Sequence, residues 1–569
     1  MVKQLMPVVF IGMFIFFNAC QSDSAIDNRS IATDSLSIAN GASLFNKNCS
    51  GCHNFLQNGI GPSLNGLTTK VSAKWIARFI SNPQELFKSG DERATGLAKN
   101  NSLIMPSFTG LDEKQLNEII SFLHTYKQEI TADENDNSIK NPIPDTIQRS
   151  NLAVTLQQIT QAPASSDSGK LPLTRITKLE YQPGTGTLFL LDLRGKLYRL
   201  NGFEPEVYFD MVALNPNFEI GDGLATGFGS FAFHPNFATN GLIYTVHTEP
   251  AGTAKATVGY TDSIKAAIQC VLTEWKADDP RAKTFKGIRR ELMRINMVSI
   301  IHGMQEVTFR PNSKPGDEDH LLLYLGIGDG GCVENGHPFL AHSINSLYGT
   351  VIRIDPSGKS SVNGNYGIPQ SNPFSTNKLA RGEIYAYGFR NPHRITWTSR
   401  GDMLVSNIGQ KNIESVNLIK KGNDYGWPIR EGRFLLNPLN DIGKVYKLPA
   451  NDSTYHIIYP VVQFDHDEGK AITGGFEYTG NNIPALKGKF LFGDIPSGRL
   501  FYVSTNELKL GQQATIKEWS ILLNDKKQTL KALCGSDRVD LHFGQDAKGE
   551  LYILTKADGR LYKLTGASN

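Results

Sequence analysis

The stretch Cys49-Ser50-Gly51-Cys52-His53 limits what this chain can fold into more than any other. Two cysteines separated by two residues and followed at once by a histidine form the attachment pattern of a covalently bound haem. The thiols add to the porphyrin vinyl groups, and the imidazole becomes an axial ligand of the iron. A redox dithiol or half of a zinc site would share this spacing, but no second CxxC completes four zinc ligands. The pattern therefore predicts haem c, attached to Cys49 and Cys52, with His53 on the iron.

Composition narrows the class of protein. With 569 residues the chain has room for a small domain and a large one, each with its own core. The net charge is only +3 and no basic run stands out, which argues against a nucleic-acid partner. There are 54 glycines and few helical patterns after residue 130, which favours a turn-rich β architecture for the large part.

The N-terminus is typical of an export signal. Lys3 precedes an apolar run from Leu5 to Phe17, which is too short and too early for a stable membrane span. The run ends in Phe17-Asn18-Ala19-Cys20, which resembles the lipobox of bacterial lipoproteins. This resemblance implies a signal peptide at 1–19, lipidation of Cys20 and a membrane anchor, with residues 20–38 as a tether. A plain secretory signal with an incidental cysteine is the alternative. Both predict an exported protein, periplasmic or on the cell surface.

A haem domain is predicted over residues 39–130. After His53 comes a Gly/Pro loop, Gly59-Ile60-Gly61-Pro62-Ser63-Leu64-Asn65-Gly66, and this stretch resembles the class I cytochrome c family. The resemblance implies a methionine iron ligand shortly before a C-terminal helix, where Met105 stands. The alternatives are a core role for Met105, and His124 as the ligand, although a solvated histidine is the simpler interpretation. The apolar stripe of the helix consists of Leu116, Ile119, Ile120 and Leu123.

The remainder is predicted to be a linker and a repeated β unit. Residues 131–170 are polar and rich in Pro and Ser, which predicts a linker with one short element. In residues 171–569 a polar turn gives way six times to a short apolar strand, at 187–193, 241–248, 320–329, 401–409, 488–494 and 549–555. Six such units predict a six-bladed propeller, so the chain is multidomain, a small all-α domain followed by an all-β one. A sandwich or a two-domain β protein is the alternative.

Motifs in the β segment point to a family. The matching stretches include Gly227 to Phe237, His302 through Phe309-Arg310-Pro311-Asn312, Gly326 to Gly331, Tyr387 to Pro392, Gly422 to Pro428 and Ile472 to Gly475. Together and in this order they resemble the soluble glucose/sorbosone dehydrogenases, six-bladed propellers that depend on pyrroloquinoline quinone (PQQ) and calcium. The resemblance implies a ligand site built by loops at one end of the propeller axis.

The same resemblance implies roles for four side chains. His302 would be the general base, since imidazole titrates near neutral pH, and Asp329 would orient and polarise it. Arg390 and Asn391 would meet the carboxylate or quinone oxygens of PQQ, because a guanidinium offers a fixed fork of donors. The structural alternatives are a buried or surface histidine, a simple Asp-Gly turn and a structural arginine.

Further positions are implied for calcium and for the cofactor's acid groups. Gly409 and Gln410 align with the family loop whose backbone carbonyls bind Ca²⁺. Glu414 stands where the family carries an acidic residue, although a solvated loop glutamate is the alternative. Arg538 matches a late arginine that pairs with cofactor carboxylates.

The chain also departs from the family. Ala225-Thr226 replaces a glutamine, and Gln410 replaces a proline of the calcium loop. No lysine matches the family's cofactor lysine near Pro496-Ser497-Gly498-Arg499, and only one of two late arginines is clear. These differences bear on cofactor binding and leave the fold untouched.

The combined features predict an exported, lipid-anchored quinohaemoprotein dehydrogenase. It would oxidise a sugar or related alcohol with PQQ and calcium in the propeller and pass electrons to haem c, then to a downstream cytochrome or oxidase. The alternative is an electron-transfer cytochrome whose non-catalytic propeller binds carbohydrate or protein. Cys270, Cys332 and Cys534 leave open either one disulfide with a free thiol or three buried thiols.

Overall fold

The computed structural model describes residues 31–50, 52–56, 61–100, 105–127, 136–221, 224, 226–260 and 263–568. The predicted signal peptide and the predicted lipidation site Cys20 lie outside these ranges. Within them, no helix is both long and apolar enough to cross a membrane.

The N-terminal domain is helical. Helix α1 starts inside the segment predicted as a tether, because Asp34 caps it by accepting a hydrogen bond from the Ser37 N–H. The last helix begins with a capping box, in which Asp112 and Gln115 each accept the other's backbone N–H. The helices are α1 (Ser35–Asn48), α2 (Leu67–Lys70), α3 (Ala73–Ser81), α4 (Pro83–Lys88), α5 (Glu92–Asn100) and α6 (Glu113–Leu123).

Helices α1 and α6 cross at very close range. A Cβ on Gly41 of α1 would lie 1.9 Å from the carbonyl oxygen of Glu118 in α6, so only glycine allows this crossing. The predicted apolar stripe of α6 is buried at all four positions and packs against Phe45 of α1 and Ile76 of α3. The domain core thus forms around the helix pair that frames the haem-attachment motif.

The larger domain consists of four-stranded antiparallel units arranged as a propeller, which confirms the predicted fold class. It is entered through β1 (Gln148–Gln161). Blade I is β2 (Ile176–Tyr181), β3 (Leu188–Asp192), β4 (Lys196–Asn201) and β5 (Glu204–Asp210), followed by helix α7 (Met211–Leu214). Blade II is β6 (Phe228–Phe233), helix α8 (Phe237–Asn240), β7 (Leu242–Pro250), β8 (Ile268–Ala277) and β9 (Gly287–Met297). Blade III is β10 (Met304–Phe309), β11 (Leu323–Ile327), helix α9 (Pro338–Ala341), β12 (Thr350–Ile354) and β13 (Ile384–Tyr387).

The second half of the ring carries one insertion. Blade IV is β14 (Pro392–Trp397), β15 (Met403–Asn407) and β16 (Ile413–Leu418), then a small sheet of β17 (Arg430–Glu431), β18 (Phe434–Leu436) and β19 (Val445–Tyr446), then its outer strand β20 (Val462–Asp465). Blade V is β21 (Phe476–Glu477), β22 (Lys489–Gly493), β23 (Leu500–Ser504) and β24 (Lys517–Leu523), with β25 (Lys526–Gln528) beside β24. Helix α10 (Leu530–Cys534) leads to blade VI, β26 (Leu541–Gln545), β27 (Leu551–Thr555) and β28 (Arg560–Ser568).

Strand β1 closes the ring and corrects the predicted domain boundary. It pairs antiparallel with β28 as the fourth strand of blade VI, and in parallel with β24 of blade V. It lies in the segment 131–170, predicted as a linker with one short element, but it is 14 residues long. Its alternate apolar residues Leu152, Val154 and Leu156 are buried in the core of that blade. The propeller therefore begins at residue 148 and not at 171.

The cysteines of the propeller are thiols. Cys270 and Cys332 are buried, Cys534 is half-buried, and none of them forms a disulfide within the described residues. Of the two possibilities left open by the sequence, the structure has the one with three thiols.

Candidate functional site

His302 and Asp329 meet at one end of the propeller. The imidazole Nδ1 lies 2.8 Å from Asp329 Oδ1, and both side chains are buried. The carboxylate also accepts the Gly331 N–H at 3.0 Å and the Trp427 Nε1–H at 2.9 Å. Asp329 thus stabilises its own turn through the Gly331 N–H and also orients the His302 imidazole. Its short contact assigns the Nδ1 proton to this bond and leaves the lone pair on Nε2.

The backbone around this pair is specialised. His302 stands in the connection from β9 to β10 and has φ +51°, which is uncommon for a residue with a side chain. A Cβ on Gly328, at the end of β11, would lie 2.3 Å from the His302 carbonyl oxygen. The glycine of the Gly-Asp-Gly-Gly turn is therefore needed to let the two loops touch.

Burial controls the protonation of both groups. Desolvation lowers the pKa of His302 well below its usual value, and the nearby positive charge of Arg390 lowers it further. Burial raises the pKa of Asp329 to about 6, opposed by Arg390 and by its N–H donors. At neutral pH the histidine is thus neutral beside an ionised aspartate, which is the state a general base requires.

Arg390 is buried next to this pair and is held at both ends. Its Nη1 donates to the Gly409 carbonyl at 2.5 Å, and its Nη2 donates to Glu334 Oε1 at 2.9 Å. The Arg390 carbonyl accepts the Asp329 N–H at 2.8 Å, which joins the residues before β14 to the glycine-rich turn after β11. Glu334 was not predicted from the sequence. Its only signal is an acidic residue five positions after Asp329 in the same glycine-rich loop.

Several buried polar atoms around Arg390 lack a hydrogen-bond partner among the described residues. They are Arg390 Nε, Asn391 Oδ1, Glu334 Oε2, both amide atoms of Gln410, and both ring nitrogens of His393 and of His542. Buried polar groups are nearly always paired, so a cluster of unpaired ones marks a place for a polar ligand. Guanidinium and imidazole N–H groups suit the acidic and quinone oxygens of PQQ. The residues therefore fit that cofactor.

The predicted calcium loop does not fit a calcium ion in this arrangement. The Gly409 carbonyl already accepts the guanidinium of Arg390, and a second positive charge at that oxygen would be repelled. The amides of Gln410, Lys411, Asn412 and Ile413 all donate to Glu431 Oε1, so the loop is folded around an internal carboxylate.

Glu414 and Arg538, two other positions named from the sequence, are both hydrogen-bonded within the propeller. Glu414 is fully buried and accepts the N–H groups of Gly409 and Ile472, so it is not a solvated glutamate. Arg538 pairs with Asp540 at 2.8 Å, and its side chain is 51% exposed. Its charge is therefore already balanced before any cofactor carboxylate arrives.

The haem-attachment site is pre-shaped. His53 Nδ1 lies 2.9 Å from the Pro62 carbonyl, which leaves Nε2 for the iron, and a Cβ on Gly61 would come within 2.4 Å of the ring. Cys49 and Cys52 are unpaired, and burial raises their pKa to about 12 and about 11. Met105 packs against the apolar cluster that contains Cys49. These residues fit haem c.

His124 does not behave as an iron ligand. Its ring Nδ1 lies 2.9 Å from Thr68 Oγ1, and the residue forms the C-cap of α6. A hydrogen-bonded histidine at a helix end is the simpler of the two interpretations of this residue.

The haem-attachment turn lies directly on the propeller site. The hydroxyl oxygens of Ser50 and Ser299 are 3.3 Å apart, and both residues are buried. Ser299 lies three residues before His302 in the chain. Leu56 covers Gly336, where a Cβ would come within 2.6 Å of Leu56 Cδ1. Besides burial, the charge of Glu334 raises the pKa of Cys52 and that of Arg390 lowers it. The two predicted redox sites are therefore neighbours in space.

Comparison with known proteins agrees with the division of the chain into a haem domain and a propeller. The Glucose / Sorbosone dehydrogenase family model matches residues 183–563, about two thirds of the chain, and the Cytochrome c model matches residues 38–127. The HIPL1 protein of Arabidopsis thaliana is 27% identical over 58% of this chain and 52% of its own length. The aldose sugar dehydrogenase YliI of Escherichia coli is 26% identical over 43% of this chain and 56% of its own length. The chain thus spans about half the length of these relatives. A glucose dehydrogenase crystal structure shares the propeller fold, with a TM-score of 0.50 and 17% identity over 72% of this chain and 99% of that one.

Proposed function

Because the chain belongs to the glucose/sorbosone dehydrogenase family and carries a cytochrome c domain, we propose that it is a quinohaemoprotein dehydrogenase. It oxidises a sugar or related alcohol with PQQ in the propeller and transfers the electrons to its own haem c. The observation that supports this proposal is the contact between the haem-attachment turn and the propeller, where Ser50 Oγ lies 3.3 Å from Ser299 Oγ. Ser299 stands three residues before His302, the proposed general base.

PQQ, when bound, supplies an acceptor for the two electrons that leave the alcohol. Arg390 and Asn391 would hold it, since their unpaired buried atoms face no partner in the described chain. The guanidinium is kept in place by Gly409 and Glu334, so its orientation is set before the ligand arrives.

His302 removes the hydroxyl proton of the substrate. The proton moves to Nε2, while Asp329 keeps the Nδ1–H bond and stabilises the imidazolium that forms. Burial excludes water from the pair, which strengthens this electrostatic support. The low pKa of the imidazole also makes it release the proton readily to solvent after each turnover.

Fusion of the two domains gives the haem a high local concentration at the propeller. Export with a lipid anchor at Cys20 would place the protein at a membrane, where a downstream cytochrome or oxidase takes the electrons. This part of the proposal rests on the N-terminal sequence and on the covalent haem.

Reduction of the haem by substrate tests the proposal. Haem-loaded protein is incubated with PQQ, mixed with aldoses and alcohols, and followed by haem absorbance. His302→Asn should slow reduction by about 10²- to 10⁴-fold, the usual contribution of a general base. The matched control is His456→Asn, because His456 is exposed and also has positive φ, +55°. Failure of PQQ to bind at micromolar concentration, or equal rates in both variants, would overturn the assignment.

A second function is favoured by one structural observation. The Gly409 carbonyl is occupied by Arg390, and Ala225-Thr226 stands where the family has a glutamine, so the cofactor site departs from the family pattern. The propeller would then bind carbohydrate or protein without catalysis beside an electron-transfer haem. The haem-reduction experiment separates the two, because this second function predicts no reduction with any substrate.

A further inference from the structure

Two buried histidines face each other on the propeller axis without partners. His393 on β14 and His542 on β26 have ring centres 6.1 Å apart and are 7% and 2% exposed. None of their four ring nitrogens forms a hydrogen bond with the residues that the structure describes. A buried imidazole without a hydrogen-bond partner has lost its hydrogen bonds to water, and this costs free energy unless a ligand replaces those bonds.

A lysine ammonium belongs to the same cluster. Lys556 directly follows β27, and its backbone N–H donates to the Asp540 carbonyl, which holds it beside the start of β26. Its ammonium makes no hydrogen bond or ion pair with the described residues, and burial lowers its pKa to about 8. Asp540 acts on it, but that carboxylate already pairs with Arg538.

The surroundings of Lys556 are otherwise positive. Arg175, Arg394 and Arg538 all lower its pKa, and Lys556 and Arg394 in turn lower the pKa of both histidines. Arg394 donates to the carbonyl oxygens of Thr177, Gln305 and His393, and its Nε lies 3.6 Å from Glu306 Oε2. Glu306 and Asp540 thus balance the two arginines Arg394 and Arg538, and an anion would balance the charge that Lys556 adds.

The cluster continues from the dehydrogenase site. Asn391 and His393 flank Pro392 at the start of β14, three residues or fewer from Arg390, and both carry unpaired buried atoms. We propose that His393, His542 and Lys556 form a subsite for a carboxylate of the ligand bound at Arg390. Two N–H donors and one ammonium match the single charge of that group. The inference rests on the proposed function where PQQ supplies the carboxylate, and an acidic sugar is the other source.

In this subsite Lys556 provides the positive charge that the family resemblance assigns to a late arginine and to a lysine near Ser497. Arg538, predicted to pair with a cofactor carboxylate, is neutralised by Asp540, and the family lysine near Ser497 is missing. Lys556 lies about sixty residues further along the chain than that position, so no local alignment identifies it.

Calorimetric titration of the haem-loaded protein tests the subsite. The probes are PQQ, its uncharged trimethyl ester and glucuronate. Lys556→Met should weaken PQQ binding by about tenfold or more and leave the ester unchanged, because only the acid carries the charge. Lys548→Met, an exposed lysine of the same blade, is the matched control. If Lys556→Met weakens only the binding of glucuronate, the subsite is supported and the substrate supplies the carboxylate.

Other outcomes separate the two proposals. Equal PQQ and glucuronate affinities in wild type and Lys556→Met overturn the subsite and leave the proposed function in place. No PQQ binding by the wild type overturns the proposed function, and the subsite falls with it unless glucuronate binding depends on Lys556. His542→Gln serves as the second variant should Lys556→Met fail to fold, with the same expected loss.

Discussion

At the scale of single residues, His302 and Asp329 behave as one unit because both are buried. The aspartate is harder to ionise than in water, and the histidine is harder to protonate. Trp427 and Gly331 donate hydrogen bonds to the carboxylate and so fix its orientation. The orientation of the pair is therefore set by the protein itself, without a ligand.

Asp329 should give the protein a distinct pH dependence of stability. Its pKa is about 6 in the folded chain against an ordinary value of 3.8, so the folded state binds this proton more tightly. Its contribution is complete below about pH 4 and is lost as the pH rises through 6, by up to about 3 kcal/mol. The free energy of unfolding of wild type minus that of Asp329→Asn, from urea titrations, should fall over this interval.

The difference in free energy of unfolding between wild type and Asp329→Asn isolates the contribution of Asp329. His302 has the opposite trend, since its lowered pKa makes stability rise with pH up to about 6.5, and it is present in both proteins. Parallel pH curves for wild type and Asp329→Asn would show that Asp329 is not the buried acid described above.

At the scale of elements, the ring depends on a strand from before the first blade. Strand β1 completes blade VI and joins blade V, so the two ends of the propeller chain are held together by backbone hydrogen bonds. Such a closure ties the start of the propeller chain to its end and joins the outer strands of blades V and VI. Residues 124–147 connect α6 to β1, and the structure describes 124–127 and 136–147 of this segment.

Removing core contact from β1 should destabilise the whole ring. Leu156 is buried in the cluster of blade VI, and Leu156→Ala should lower the free energy of unfolding by about 2 to 5 kcal/mol. Gln157→Ala, at the exposed neighbouring position, should change it by less than about 0.5 kcal/mol. Chemical denaturation followed by tryptophan fluorescence measures both, and equal effects would mean that β1 is not part of the core.

At the scale of the whole molecule, the haem domain sits on the end of the propeller that holds His302 and Asp329. Ser50 contacts Ser299, Leu56 contacts Gly336, and Lys411 lowers the pKa of His53. Three separate loops of the propeller therefore meet the haem-attachment turn. This arrangement shortens the path between the two sites without requiring diffusion of a separate acceptor.

Separating the domains should uncouple haem reduction from alcohol oxidation. Ser299→Trp places a large side chain in the buried contact with Ser50 and should slow haem reduction by about tenfold or more, since the docked arrangement is lost. Turnover with a soluble dye acceptor should persist, because His302 and Asp329 are retained. Stopped-flow absorbance measures the first rate, and Ser299→Ala is the control that keeps the contact space open. Unchanged haem reduction in Ser299→Trp would show that docking here is not required.

The features that the sequence predicted well are those written in a few adjacent residues. The haem motif, the stripe of α6 and the alternating strands depend on covalent proximity and on the fixed periods of helix and strand. Strand β1 was underestimated because its partner strands, β24 and β28, lie more than 350 residues away. The local sequence of β1 therefore does not indicate that β24 and β28 pair with it.

The sequence by itself determined the covalent haem site, the two kinds of domain and the positions of His302, Asp329 and Arg390. Only the tertiary structure decided what surrounds them: Glu334 and the Gly409 carbonyl on the Arg390 guanidinium, the pairing of Arg538 with Asp540, and Cys52 near Glu334 and Arg390. These contacts join residues from different blades and from different domains. The physical reason is that burial and charge act through space, so the chemistry of a side chain depends on neighbours that chain order does not specify.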